Sequence, residues 1–239
     1  MLTFVGSNSA NRVNGTGSDL NMTLPGGVAT NDVVYVCGGG GSDANDNPGV
    51  STADYIELAD LYSNDTDDSN FSANRKVMGG TPDSSVDCLA PANFDGLAYC
   101  VHVWRGQDLT TPEDTATTTV TTLNTPVVDS PSITTVTRNA VVLSCGGGAT
   151  TSGDGSVTAP SGYINAVVGF GEPNDGSTEF TAVMASKVVN VPGAENPAAW
   201  GTWTDPDNAA SYCAVSIAIR PASDIFFPMY KKIPYTVRV

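Results

Sequence analysis

Apolar residues in this chain fall in short runs separated by turn residues about every ten positions, with Thr, Val, Ser, Gly, Asn and Asp dominating between them. That spacing, and the absence of a convincing amphipathic helix, predicts an all-β chain folded as a sandwich or barrel. In "AYCVHVWR" the side chains of Tyr99, Val101, Val103 and Arg105 should face one way and Cys100, His102 and Trp104 the other. In "CAVSIAIR" the inward set is Cys213, Val215, Ile217 and Ile219. The stretch "STADYIELADLYSND" from Ser51 fits helix and strand templates equally.

The pattern is also written twice. "NDVVYVCGGGG" opens at Asn31 and "RNAVVLSCGGGA" at Arg138. After the first come "ADYIEL", "ANRKVMGGTPDSSVDC" and "GLAYCVHVWRG"; after the second, "SGYINAV", "ASKVVNVPGAENPAAW" and "ASYCAVSIAIRP". The order of elements matches, and Cys37 and Cys100 in one half correspond to Cys145 and Cys213 in the other. Two copies of a unit that cannot bury its apolar face alone should pack against each other. The expected architecture is a jelly-roll-like β-sandwich over residues 1–222, built from halves at about 1–110 and 128–222, with a C-terminal arm at 223–239. The glycine runs lack the GK[ST] and GxGxxG spacings of phosphate loops. They read as places where a backbone needs positive φ or a close approach.

Charge sharpens the picture. The 239 residues carry 25 acids against 10 bases, a formal charge of −15, which excludes a nucleic-acid groove or an anionic membrane surface as partner of the body. The bases cluster late: from Arg220 onward there are four (Arg220, Lys231, Lys232, Arg238) and one acid, Asp224. No apolar stretch approaches the roughly 18 residues that span a bilayer, and the start lacks the pattern of a signal peptide. The expectation is a protein made in the cytoplasm, with its five cysteines reduced and acting as small core residues.

Candidate chemistry is sparse. One histidine, His102, cannot build a multi-histidine site within one chain, and no glutamate lies in a recognisable catalytic motif, so the chain reads as a non-enzyme. In "DANDNPGVSTAD", Asp43, Asn45, Asn47 and Asp54 fall on ligand positions of a calcium loop, although Pro48 replaces the glycine at position 6 and flanking helices are absent. Two readings stand there, a Ca2+ site and a solvated loop of Asx turns. "NPAAWGTWTDPDNA" offers Trp200 and Trp203 either as a stacking surface for a host glycan or as a plug at the end of the sandwich. The final residues, with Ile225, Phe226, Phe227, Met229, Tyr230, Lys231, Lys232, Ile233 and Tyr235, are too short for a domain and too apolar for a free linker. They read as a subunit-docking arm.

The segments "LTFVGSNSANRVNGTGSDLNMTLPGGVATNDVVYV", "YCVHVWRGQDLTTPEDTAT", and "APSGYIN" through "SYCAVSIAIRPAS" resemble β-sandwich proteins of bacteriophage and prophage structural genes over residues 2–222. The resemblance implies a virion component, such as a capsid-decoration or tail accessory protein. Its partners would be other virion proteins, with homo-oligomeric assembly. It brings no catalytic residues with it. A tail- or fibre-associated module that binds host glycans is the alternative.

Overall fold

The computed structural model describes residues 1–15, 19–41, 44–64, 68–90, 94–123, 127–150, 157–171, 179–201 and 211–223. Fifteen strands and no helix are found among them. The first half contains β1 (Thr3–Gly15), β2 (Leu20–Thr23), β3 (Val33–Gly41), β4 (Gly49–Val50), β5 (Ile56–Ser63), β6 (Ser69–Val77), β7 (Ser85–Leu89) and β8 (Phe94–Arg105). The second contains β9 (Thr118–Thr122), β10 (Ile133–Thr135), β11 (Ala140–Thr150), β12 (Ile164–Gly171), β13 (Glu179–Val189), β14 (Gly193–Glu195) and β15 (Ser211–Ile219). The ambiguous stretch after Ser51 is therefore a strand, β5, and the second half begins before residue 128, at edge strand β9.

Pairing is nested. In the first half β1 pairs with β8, β2 with β7 and β3 with β6, giving a sheet ordered β1-β8-β3-β6-β5 and a smaller one ordered β2-β7-β4. A long hairpin rolled up on itself produces this order, the jelly roll. The second half repeats it: β12-β13-β11-β15-β9 in the large sheet and β10-β14 in the small one. The roll is thus completed inside each half, and the two rolls stack through their large sheets.

Four layers of sheet make three cores. The central one lies between the large sheets and holds Tyr35, Cys37, Phe71, Cys100 and Trp104 against Leu143, Cys145, Phe180, Met184 and Ile217. An outer core lies beneath each small sheet. One contains Met22, Val34, Tyr99, Val101 and Val103, the other Ile133, Val142, Val183 and Trp200. The alternation read from residues 99–105 and 213–219 thus separates two apolar environments, and every residue of β15 is buried. Each large apolar side chain removed from water contributes about 1.5–3 kcal/mol, which is why both faces of the large sheets are covered.

Register refines the internal match. Val33 pairs with Trp104, and Val141 with Ile219, which makes Val33 equivalent to Val141 and Arg105 to Arg220. On that frame Cys37 matches Cys145, but Cys100, opposite Cys37, matches Val215, opposite Cys145. Cys213 sits two positions away, on the same face. Local backbone agrees with the frame: Asn31 and Asn139 both take positive φ before the central strands, as do Asp54 and Gly162 before β5 and β12. Lys76 and Lys187 each lie over a tyrosine, Tyr55 or Tyr163, and each holds an acid at 2.8 Å, Asp83 or Glu195.

The glycine runs lie inside the strands. A Cβ on Gly39 would sit 1.8 Å from the Asn70 carbonyl oxygen, and one on Gly148 would sit 2.8 Å from that of Ser211. Close backbone approach is the reason these positions carry no side chain.

Candidate functional site

The large sheets face each other, and their edges meet along two seams. Along the first, β1 lies against β12, and side chains of the first sheet bond to the open backbone of the second. Ser9 Oγ donates to Val168 O at 2.9 Å, Cys100 Sγ to Val167 O at 3.7 Å, and Asn11 Nδ2 to Phe170 O. His102 Nε2 lies 2.9 Å from Asn165 O. A carbonyl only accepts, so Nε2 carries the hydrogen and Nδ1 is the bare nitrogen, buried without a hydrogen-bond partner. Burial pushes the His102 pKa down to about 3, against the pull of the Asn165 carbonyl. This histidine is a neutral seam residue.

The second seam relates β5 to β9. Ser63 Oγ donates to Thr122 O at 3.0 Å at one end, and at the other the edges part around a cavity of about 660 Å³. Glu57 and Leu58 of β5, Arg75 of β6, residues 110–117 of the connection between halves, and Arg220 line it. Glu113 Oε1 stands 2.8 Å from Arg75 Nε and accepts from the Tyr35 hydroxyl at 3.1 Å. Burial, then the Glu113 carboxylate, pushes the Tyr35 phenol well above its ordinary pKa. Asp114 Oδ1 lies 3.4 Å from Arg220 Nε, while Oδ2 accepts from the backbone of Val136 at 2.6 Å and Thr137 at 3.0 Å. Burial would raise the Asp114 pKa, but the Thr137 and Val136 hydrogen bonds and the Arg220 charge outweigh it and hold the carboxyl below its usual value. These carboxylates fix the connection between the halves to β6 and β15, and Glu57 is the exposed acid at the mouth.

The residues singled out from sequence are scattered. Trp200 is fully buried under the outer sheet and donates Nε1–H to Ser144 Oγ at 3.0 Å, so it presents no face to a sugar. This corrects its assignment as a glycan contact: the indole packs into the outer core with its N–H on Ser144. Trp203 lies outside the described residues, as do Asp43 and the docking residues Ile225, Phe226, Phe227, Met229, Tyr230, Lys231, Lys232, Ile233 and Tyr235. Asn45, Asn47 and Asp54 are exposed, and the loop between them is drawn out as strand β4, where Gly49 and Val50 pair with Leu89 and Cys88. Ser51 turns its hydroxyl to Asp19, at 2.6 Å, and does not face the loop interior. Among the described residues no group of three or more His, Cys, Asp or Glu is placed to hold a metal ion. The ion pairs at the second seam escaped the sequence reading because their members are far apart in the chain. Their one sequence signal is Arg220, which follows β15 as Arg105 ends β8.

Comparison with family models, with curated proteins and with solved structures gives no match to this chain.

Proposed function

We propose that the protein is a non-catalytic structural component of a bacteriophage particle, a capsid-decoration protein that assembles as a symmetric oligomer and is anchored partly through residues 225–239. The observation that carries this reading is the way the chain leaves the second roll. Beyond β15, Gln107 and Pro221 form an isolated bridge, and the Ala222 amide donates to Gly106 O at 2.8 Å. The aromatic, basic segment that follows thus starts from a fixed point on an acidic body, as an anchoring arm requires. Two further features support the reading. Jelly rolls are a shell-forming architecture, shared with lectins and cupins. The only histidine and all five thiols are buried, and Glu113 and Asp114 at the cavity of the second seam are held by arginines. A symmetric particle supplies symmetric sites for an oligomer.

The test is deletion of residues 225–239, followed by a thermal melt and by co-sedimentation with purified particles. The reading expects an unchanged melt and lost incorporation. A truncated protein that still joins particles would overturn the anchoring role.

A further inference from the structure

We propose that the cavity of the second seam binds a sugar acid, a carboxylate carried on a hydroxyl-rich ring, and that Arg75 takes the carboxylate. The inference goes beyond the anchoring reading and does not depend on it.

Arg75 is the group that the fold leaves unfinished. It lies on β6 opposite Tyr35 of β3 and Ile56 of β5, so its side chain shares their face of the sheet. That side chain is 16% exposed and lines the cavity. Its Nε stands 2.8 Å from Glu113 Oε1 but out of line for a hydrogen bond. Among the described residues its two terminal nitrogens make no hydrogen bond. Arg220, at the same cavity, is the contrast. Its Nη1 donates to Thr111 Oγ1 at 3.0 Å and its Nη2 to the Asp114 carbonyl at 2.9 Å. A guanidinium presents its donors as a rigid planar fork, and the groups that take two parallel N–H bonds at once are carboxylate, phosphate and sulfate.

Charge selects among those three. The cavity is lined by two guanidiniums, Arg75 and Arg220, and by three carboxylates, Glu57, Glu113 and Asp114. A dianion entering there meets a surplus of negative charge, on a body that is already at −15. A monoanion whose charge is spread over two oxygens is what a single open fork can hold, and that is a carboxylate.

Size and lining select what carries it. A volume of about 660 Å³ falls within the roughly 300–1,000 Å³ of small-molecule sites and exceeds what a lone carboxylate fills. The connection between the halves contributes the hydroxyls of Thr110, Thr115 and Thr117 to the wall, and Leu58 of β5 adds apolar surface. Hydroxyls both donate and accept, and the Glu57 carboxylate at the mouth accepts only. Sugar hydroxyls satisfy both kinds of partner, whereas the chain of an aliphatic acid satisfies neither. No aromatic side chain is among the lining residues, so the ring is held at its edges by hydrogen bonds and not by stacking.

The experiment is isothermal titration calorimetry of the full chain. Glucuronate and N-acetylneuraminate are the two sources of this chemistry. Methyl glucoside offers the ring without the carboxylate, acetate the carboxylate without the ring, and sulfate the dianion. At least one sugar acid should bind one to one, at least about tenfold more tightly than the three controls, and the tighter of the two identifies the source. Arg75→Lys keeps the charge beside Glu113 but replaces the fork with a point charge, and should weaken binding about tenfold or more. Ala116→Trp, at an exposed position of the rim, fills the cavity without touching Arg75 and should abolish binding. It carries the test alone if Arg75→Lys perturbs folding by circular dichroism. Failure of both sugar acids to bind, acetate or sulfate binding as tightly as they do, or binding that survives both substitutions would each overturn the proposal. None of these outcomes touches the arm deletion, whose result decides the anchoring reading separately.

Discussion

Arg220 and Asp114 form in the second roll the ion pair that Arg105 and Asp32 form in the first, although the two carboxylates come from different places in the chain. Asp32 immediately precedes β3 and takes Arg105 Nε at 2.7 Å and the Ala29 amide at 2.8 Å. Its equivalent is Ala140, the first residue of β11, and the carboxylate is supplied by the connection between halves. The position served is the same, since Thr137, whose amide bonds to Asp114, is the equivalent of Ala29.

Asp114→Ala should cost about 1–2 kcal/mol in urea unfolding, because it takes the carboxylate from Arg220 and the acceptor from the Val136 and Thr137 amides, while Arg220 keeps its bonds to Thr111 and to the residue-114 carbonyl. Adding Ala140→Asp places a carboxylate where the first roll has one, and should recover at least half of that loss. No recovery in the double variant would mean the two sites are not interchangeable.

Gly39→Ala should abolish soluble, cooperatively folded protein, since the new methyl group would overlap the Asn70 carbonyl within the sheet. Gly79→Ala is the control: its Cβ would meet nothing within 4 Å, so its melting temperature should stay close to that of wild type. Circular dichroism of the pair separates close approach from a general need for glycine.

His102 should make stability depend on pH below neutrality. Its folded pKa is depressed from 6.5 to about 3, so the unfolded chain binds a proton that the folded chain refuses. The contribution is present above pH 6.5 and is lost as pH falls toward 3, at up to about 1.4 kcal/mol per pH unit. The depressed Asp114 adds its own loss only at lower pH, as the carboxyl range is entered. Urea titrations at pH 7, 6 and 5 should show the slope, and His102→Phe should flatten it. The variant should itself cost about 1 kcal/mol at pH 7, through the unmet Asn165 carbonyl.

All five thiols should be silent in the native state. Each is buried and free, and burial pushes those of Cys88, Cys100, Cys145 and Cys213 up, away from the thiolate that reacts. Ellman titration should read none folded and five in denaturant without reductant.

Much of the fold was legible because strand alternation is local. Residues 99–105 announce two faces, and the repeated phrase around Cys37 and Cys145 announces two equivalent central strands. What alternation cannot tell is that both faces are covered. Tyr99, Val101 and Val103 lie under a second sheet whose strands β2 and β7 are too short to stand out. The cysteine match beyond Cys37 and Cys145 misled by two residues, a shift that keeps the side chain on the same face and so leaves no trace in the pattern. For Trp200 the sequence left a stacking surface and a plug both open, and only its bond to Ser144 shows which way it turns. The second seam was invisible, since Arg75, Glu113 and Arg220 meet only after both rolls have closed.

Nesting also sets a timetable for synthesis. Thr3 pairs with Arg105, so β1 must wait on the ribosome until nearly the whole first roll has been made. At about 5–20 residues per second that wait is several seconds or more. Once closed, the first roll still shows the face carrying Tyr35, Phe71 and Trp104 to the cell until β11, β13 and β15 arrive to cover it. The nascent chain is therefore most vulnerable to aggregation when half of it is already folded, and a slow stretch of translation in the second half would prolong that exposure.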